Sequence, residues 1–309
     1  MAKHRKKIIT PPRLRPGDTI GIAAPASPFD RQDYEQGIAT LQSLGYLTRV
    51  SRDIFLQNGY LAGSDLQRAK LINRFFADRS IKAILCARGG YGSMRILPLL
   101  DFALIRKNPK IFVGFSDITA LLAALYEKSR LVTYHGPLLT TLGESDQNSK
   151  DALILALSSH EKIDIRLPKG ITVVSGSVAG PVLAGNLTTL CHLVGTPYEP
   201  SLEGHILLLE DKGEATYRLD RMLVQMKFAG CFEGLAGMVL GSFERCGQQK
   251  ELLSVVRDIF APFPFPILAG LDMGHSRSNL TIPIGREATL DADQHSLVFH
   301  GPATAGAVS

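Results

Sequence analysis

Ile111-Phe112-Val113-Gly114-Phe115-Ser116-Asp117-Ile118-Thr119 decides the fold, because an apolar run breaks at a glycine, turns through a serine and passes at once into the helical pattern Ile118–Ser129. A short strand that runs straight into a helix is the repeating unit of a parallel sheet. The same alternation extends upstream. Thr19–Ala23 reads as a strand closed by Ala24-Pro25-Ala26-Ser27-Pro28, followed by a helix over Asp30–Leu44, a strand over Tyr46–Val50 and a helix over Ser64–Asp78. Ala83–Cys86 reads as a buried strand ending in Arg88-Gly89-Gly90-Tyr91-Gly92, and Met94–Leu99 opens a further helix. Ile118–Ser129 is apolar on every side and is expected to lie in the interior. The class is α/β, with a doubly wound parallel sheet in the first half.

Downstream the pattern changes. Polar and charged stretches, Gly143–Asn148 and Ser158–Lys169, interrupt the alternation before Pro181, and this is the expected boundary: residues 1–145 as an N-terminal domain, 146–178 as a linker region and 179–309 as a smaller C-terminal α+β domain. That second domain is read from strands at Ile206–Leu209, Met238–Leu240 and Ser296–Phe299 and a helix over Leu219–Lys227. No internal repeat is visible.

Composition narrows the function classes. The chain has 309 residues, 45% hydrophobic and 20% charged, which is the balance of a folded globular protein. The net charge of +5 draws on the opening run Lys3-His4-Arg5-Lys6-Lys7, read as a solvated tail. Elsewhere acids and bases are interspersed and there is no Trp, so nucleic acid is set aside as a partner. The residues after the basic run, Ile8-Ile9-Thr10-Pro11-Pro12-Arg13, are not the apolar core of a signal peptide, and no window reaches the roughly 18 to 20 apolar residues that cross a bilayer. Cys86, Cys191, Cys231 and Cys246 form no C-x-x-C pair or Cys/His cluster, which argues against a metal site or a disulfide framework and for a reducing compartment, the cytoplasm. Cys86, inside an apolar run, reads as a small buried residue.

The Gly-x-Ser turn between strand and helix has the layout of a nucleophile elbow, in which the serine stands clear of the backbone and the next amide faces a developing oxyanion. The chain departs from that pattern at Ile118, where a second glycine is usual. Taken alone, the segment suits a capped helix better than a nucleophile, since serine is a favoured N-cap. A nucleophilic serine also needs a base, and the base an orienting carboxylate. His275, in Leu271-Asp272-Met273-Gly274-His275-Ser276, sits in a polar glycine turn, and His135 in Tyr134-His135-Gly136-Pro137 is its rival. Glu210 closes the apolar run Ile206–Leu209 and is expected at a half-buried strand end, with Glu214 as the alternative acid. The loop Arg88–Gly92 follows a strand and precedes a helix, so its amides are suited to an anion, but it lacks both the P-loop ending and the dinucleotide glycine spacing.

These blocks resemble the LD-carboxypeptidases, a family of serine peptidases that includes murein tetrapeptide carboxypeptidases and microcin C self-immunity peptidases. The resemblance runs through Ala23–Pro28, Tyr60–Gly63, Ala87–Gly92, Gly114–Asp117, Gly185–Leu187 with Gly195–Pro197, Leu209–Asp211 with Tyr217, Asp220 and Arg221, and Gly274-His275 with Pro283–Gly285. It implies a flavodoxin-like or Rossmann-like N-terminal domain that supplies the serine and a C-terminal domain that supplies acid and base. It further implies Ser116 as nucleophile, His275 as base, Glu210 as its partner, and amides of Asp117 and a loop glycine such as Gly90 as oxyanion donors, with Arg88 as a candidate for the substrate carboxylate. The implied protein is a cytoplasmic homodimer that needs no metal or cofactor and removes D-alanine from a murein tetrapeptide. Two other readings stand beside it: the self-immunity type, which stacks a nucleobase on an aromatic residue of an extra loop, and a non-catalytic small-molecule-binding protein on the same scaffold.

Overall fold

The computed structural model describes residues 7–306, and Lys3 to Lys6 of the opening basic run lie outside them. Fourteen strands are assigned among the described residues. In chain order they are β1 (Thr19–Ala23), β2 (Leu47–Val50), β3 (Ile81–Cys86), β4 (Ile111–Gly114), β5 (Thr133–His135), β6 (Lys162–Arg166), β7 (Ile171–Val174), β8 (Ser177–Asn186), β9 (Ile206–Lys212), β10 (Gly237–Glu244), β11 (Ile267–Ala269), β12 (Ile282–Ile284), β13 (Glu287–Asp291) and β14 (Ser296–Pro302). The α-helices are α1 (Arg31–Ser43), α2 (Asp65–Ala77), α3 (Ser93–Ile96), α4 (Phe102–Lys107), α5 (Thr119–Ser129), α6 (Leu139–Leu142), α7 (Gln147–Ser158), α8 (Leu187–Leu193), α9 (Thr216–Phe228) and α10 (Gln249–Phe260).

The first sheet has the order β12-β5-β4-β3-β1-β2, with β1 to β5 parallel. Its central strands carry unbroken apolar runs because both faces are covered: β4 is buried throughout and β3 at every position but Lys82. The helices that cover it are started by local chemistry. The Asp30 carboxylate accepts from the amides of Gln32 and Asp33, and Ser64 and Gln67 cap α2 reciprocally. Helix α5 is buried from Thr119 to Tyr126, as its all-round apolar sequence requires.

The second sheet has the order β6-β14-β13-β8-β9-β10-β11-β7. Strands β8 to β11 form a parallel core, and antiparallel strands close both edges. The chain is therefore a mixed α/β protein with two sheets. The stretch 146–178, read from the sequence as a linker region, holds α7, β6 and β7, and both strands pair into this second sheet. Their burial is shallow, alternating in β6 and intermediate throughout β7, which is why no strong apolar signal marked them.

Two features lock the sheets together. After β11 the chain crosses back and adds β12 to the edge of the first sheet, pairing Ile282 with His135 in antiparallel register. At the start of α5 the Thr119 hydroxyl accepts the amide of Asn186 at 3.0 Å, and a side chain at Gly185 would collide with Thr119. The segment between β11 and β12 is thus carried from one sheet to the other, past the C-terminal end of β4. Among the described residues no helix is long and apolar enough to cross a membrane.

Candidate active site

Ser116 has φ +63°, a left-handed conformation that costs a residue with a Cβ on the order of 1–2 kcal/mol. It opens a 3₁₀ turn, Ser116–Ile118, and α5 starts only at Thr119. The residue before each helical start is Phe115 or Ile118, and neither start has a side-chain cap. Ser116 is therefore not the N-cap that its sequence context favoured. The departure at Ile118 also has a physical reason. Its side chain lies over Gly114, where an added Cβ would sit 2.6 Å from Ile118 Cγ2, so the small residue that the sharp turn needs is the upstream one. On the other side, an added Cβ at Gly89 would lie 3.1 Å from Ser116 Oγ, which places the Arg88–Gly92 loop in contact with the serine.

His275 Nδ1 lies 2.7 Å from Glu210 Oε2. Glu210 belongs to β9 and has no exposed surface, which corrects the expectation of a half-buried strand end: β9 continues through Asp211 and Lys212 because their neighbours satisfy these polar side chains. Asp211 accepts from Asn186 Nδ2 at 3.0 Å and from the amide and hydroxyl of Thr188 at 2.9 and 2.8 Å. Burial pushes the Glu210 carboxyl above its ordinary range, and the hydrogen bond and charge of His275 oppose that shift. The approach of the two groups depends on Gly274, at φ +118°, where a Cβ would stand 2.5 Å from Glu210 Oε2. Phe115 packs against the imidazole, ring centroids 4.8 Å apart.

The other candidates separate. Glu214 pairs with Arg218 at 3.4 Å rather than with a histidine. His135 is fully buried, neither ring nitrogen has a protein partner, and burial holds its pKa down to about 3, with His275 adding a smaller lowering. It has no carboxylate to orient it. Asp117 turns its side chain away to accept the Ser93 amide at 2.8 Å, and burial raises its carboxyl, so only its backbone amide is placed beside the serine. Gly90, at φ +94°, packs on Ser27, whose hydroxyl accepts the Tyr91 amide at 3.1 Å. Arg88 donates to the Pro28 carbonyl at 2.5 Å. Cys86 is fully buried and its thiol is pushed well up by burial, in keeping with a packing role.

Ser116, His275, Arg88 and Gly90 line one cavity of about 680 Å³, together with Lys212 and Asn279. Lys212 and Asn279 escaped the sequence reading, since a lysine after an acid pair and an asparagine in a polar turn carry no periodicity or motif of their own. Among the described residues no group of three or more His, Cys, Asp or Glu side chains is arranged to hold a metal ion. A serine hydroxyl, an imidazole held by a buried carboxylate and a loop of backbone amides are the parts that acyl transfer requires.

Comparison with known proteins places the chain in a peptidase family. The chain matches the LD-carboxypeptidase N-terminal domain over residues 20–136 and the LD-carboxypeptidase C-terminal domain over residues 179–290. It is 35% identical to a probable murein peptide carboxypeptidase of Bacillus subtilis, over 96% of each chain. It is 32% identical to a murein tetrapeptide carboxypeptidase of Pseudomonas aeruginosa, over 89% of this chain and 94% of that one. The structure of MccF in complex with glutamyl sulfamoyl guanosine superposes with a TM-score of 0.90 at 26% identity, covering 96% of this chain and 99% of the other.

Proposed function

Because this chain belongs to the LD-carboxypeptidase family of peptidases, we propose that it is a serine carboxypeptidase that releases the terminal D-alanine of murein tetrapeptide. The observation that carries the reading is the 2.7 Å contact between His275 and the buried Glu210 at the wall of the cavity that Ser116 also lines. In this reading Glu210 fixes the imidazole with Nδ1 inward and leaves Nε2 to take the proton of Ser116 Oγ. The oxygen attacks the carbonyl carbon of the third residue, an L-centre of diaminopimelate or lysine. Amides of Asp117 and Gly90 stabilise the negative oxygen that forms. Nε2 then returns the proton to the nitrogen of the departing D-alanine, the C–N bond breaks, and an acyl-enzyme remains. Water, deprotonated by the same imidazole, releases the tripeptide and restores the serine.

The reading places the protein in the cytoplasm, as a homodimer acting on peptides recovered from the cell wall, in line with the family resemblance. The likeness to MccF supports a second reading, hydrolysis of an aminoacyl-nucleotide. A mass-spectrometric assay with tetrapeptide, intact muropeptide and an aminoacyl-sulfamoyl adenosine separates them. Loss of one alanine from the first two alone is the expected result, and cleavage of the third alone sinks the murein reading.

A further inference from the structure

The oxyanion hole of the proposed reaction draws its amides from two separate connections, Asp117 after β4 and Gly90 after β3, and neither connection alone sets the distance between them. Asp117 joins the two. Its Oδ2 accepts the Ser93 amide at 2.8 Å, its carboxylate also takes the Gly92 amide, and its own carbonyl accepts the Ser93 hydroxyl. Helix α3 begins at Ser93 and has no side-chain cap from Gly92, the residue before it, so the carboxylate of a residue 24 positions beyond Ser93 caps it instead. Gly92 is thereby clamped from both sides, since its carbonyl accepts Arg68 Nη1 at 2.9 Å while its amide is held by Asp117. Ser93 is fully buried, which strengthens its bonds to Asp117 by keeping water from them.

Other ties of the Arg88–Gly92 loop lead elsewhere. Ser27, after β1, donates its amide to the Gly89 carbonyl at 3.1 Å and accepts the Tyr91 amide on its hydroxyl at 3.1 Å, and Thr140 of α6 donates its hydroxyl to the Ala87 carbonyl at 2.9 Å. The bonds to Asp117 end on the residue after the nucleophile, the same residue whose amide is an oxyanion donor. Two donors that converge on one oxygen have to be held closely, because a misplacement of about 1 Å in such a site costs on the order of 100-fold in rate. Resting on the carboxypeptidase reading above, we propose that Asp117 is, through its carboxylate, a positioning residue for the oxyanion hole: it holds the Arg88–Gly92 loop at the distance from the nucleophile turn at which the Gly90 amide and its own amide meet the same oxygen. The carboxylate is taken up by Gly92 and Ser93 and is not itself offered to the substrate. Its effect belongs to the transition state, where the oxygen carries charge, and not to the bound peptide, whose neutral carbonyl asks less of the same donors.

A ligand that mimics the charged intermediate reads this effect directly. In a boronic-acid analogue of the tetrapeptide, boron replaces the scissile carbonyl carbon and the D-alanine is omitted. The Ser116 Oγ–B bond forms, the serine proton passes to His275, and the boron becomes tetrahedral and anionic, with one of its hydroxyls where the oxyanion would lie. Its Ki is measured beside kcat and KM on the tetrapeptide for wild type, Asp117→Ala and Asp117→Asn, with thermal midpoints recorded for each protein. The expected result for Asp117→Ala is a fall of about 10- to 100-fold in kcat and a parallel rise in Ki, with KM within about threefold of wild type. Asp117→Asn, which keeps one acceptor oxygen but no charge, is expected to change both by about tenfold. A lower thermal midpoint with Ki unchanged overturns the proposal and leaves Asp117 as a structural cap, because a smaller active fraction lowers the apparent kcat but not Ki. A higher KM with kcat and Ki unchanged overturns it as well, since that is the mark of uniform binding. If Asp117→Ala does not fold, Asp117→Asn decides the matter on the same two quantities, with wild-type kcat and Ki refuting the proposal. A wild-type protein that neither cleaves the tetrapeptide nor binds the boronate fails at the substrate reading, and this inference falls with it; a wild type that does both while the Asp117 variants match it fails at Asp117 alone.

Discussion

At the scale of single residues, Ser116 is the position where local stability and proposed chemistry oppose each other. A serine held at φ +63°, capping no helix, is a strained residue that gives nothing back through a cap. Ser116→Ala is expected to abolish turnover while the thermal midpoint stays near that of wild type, because alanine keeps both the Cβ and the strain. Ser116→Gly is expected to be equally inactive but more stable, by on the order of 1 kcal/mol, because glycine visits this region without penalty. Thermal denaturation of the three proteins beside an alanine-release assay tests both halves. A destabilised glycine variant would mean that the hydroxyl or Cβ makes a structural contribution after all, and an active alanine variant would remove the serine mechanism. Ser116 was legible in the sequence as a turn residue but not as an uncapped one. Capping depends on where the helix begins, and the 3₁₀ turn over Ser116–Ile118 puts the start of α5 at Thr119, too far along for Ser116 to cap it. Glu210 was legible as a candidate acid by its place after an apolar run, but its complete burial was not, because it depends on Gly274 and β10 folding over it from elsewhere in the chain.

At the scale of elements, the loops that frame the site are tied to α2. The Arg68 guanidinium donates to the Pro25 carbonyl and to the Gly92 carbonyl, the latter at 2.9 Å, and it is itself held by Asp65, which also takes three hydrogen bonds from Arg95. The ends of the loops after β1 and β3 are thereby fixed to one carboxylate. The hydrogen bond from Arg95 is the largest effect on Asp65; burial opposes it, and the hydrogen bond from Arg68 and the charges of both arginines add to it, so the carboxyl is held below the ordinary aspartate value of 3.8. A depressed folded-state pKa means that the stabilisation is complete above the ordinary value and is lost as pH falls through the folded-state value. Asp65→Asn is therefore expected to be less stable than wild type at pH 7, with the difference closing below about pH 4 and shrinking in high salt. Thermal midpoints of both proteins from pH 7 to pH 2 provide the check, and a gap that stays constant across that range would show that shape rather than charge at Asp65 matters. The first-half elements were readable because strands such as β3 and β4 are apolar throughout and the helices carry their own caps. The edge strands β6 and β7, and β13 between β14 and β8, were not, since half-buried strands of mixed polarity are defined by their partners.

At the scale of the whole molecule, the cavity is assembled from both sheets: Ser116 and the Arg88–Gly92 loop come from the C-terminal ends of β4 and β3, and Glu210, Lys212 and His275 come from the second sheet and its return to β12. The sequence was read as two units with a candidate serine, acid and histidine in that chain order. It gave no sign of the β12 crossover that brings them together, because a three-residue strand pairing across more than a hundred residues leaves no local pattern. A site built from two rigid sides holds the ends of a short peptide independently, and this has a stereochemical consequence for the proposed reaction. If the scissile carbonyl is held at Ser116 and the terminal carboxylate by the wall that faces it, the terminal Cα is fixed between two anchors and its methyl group has one direction. Inverting that centre either drives the methyl into the opposite wall or lifts the carboxylate from its donors, and a displaced charge-assisted hydrogen bond costs roughly 1.5–3 kcal/mol, about ten- to a hundredfold in rate. A tetrapeptide ending in D-alanine should accordingly be consumed that much faster than its L-alanine diastereomer. A pentapeptide ending in D-alanyl-D-alanine should also resist, because the residue on the acyl side of its terminal bond is a D-centre that presents its carbonyl with the side chain reversed. Competition of the three peptides in one reaction, with the released alanine resolved by chirality, measures all of this at once. Equal consumption would refute the L,D-specific assignment even with Ser116 established as the nucleophile, since it would mean that the two sides of the cavity do not fix the substrate at both ends.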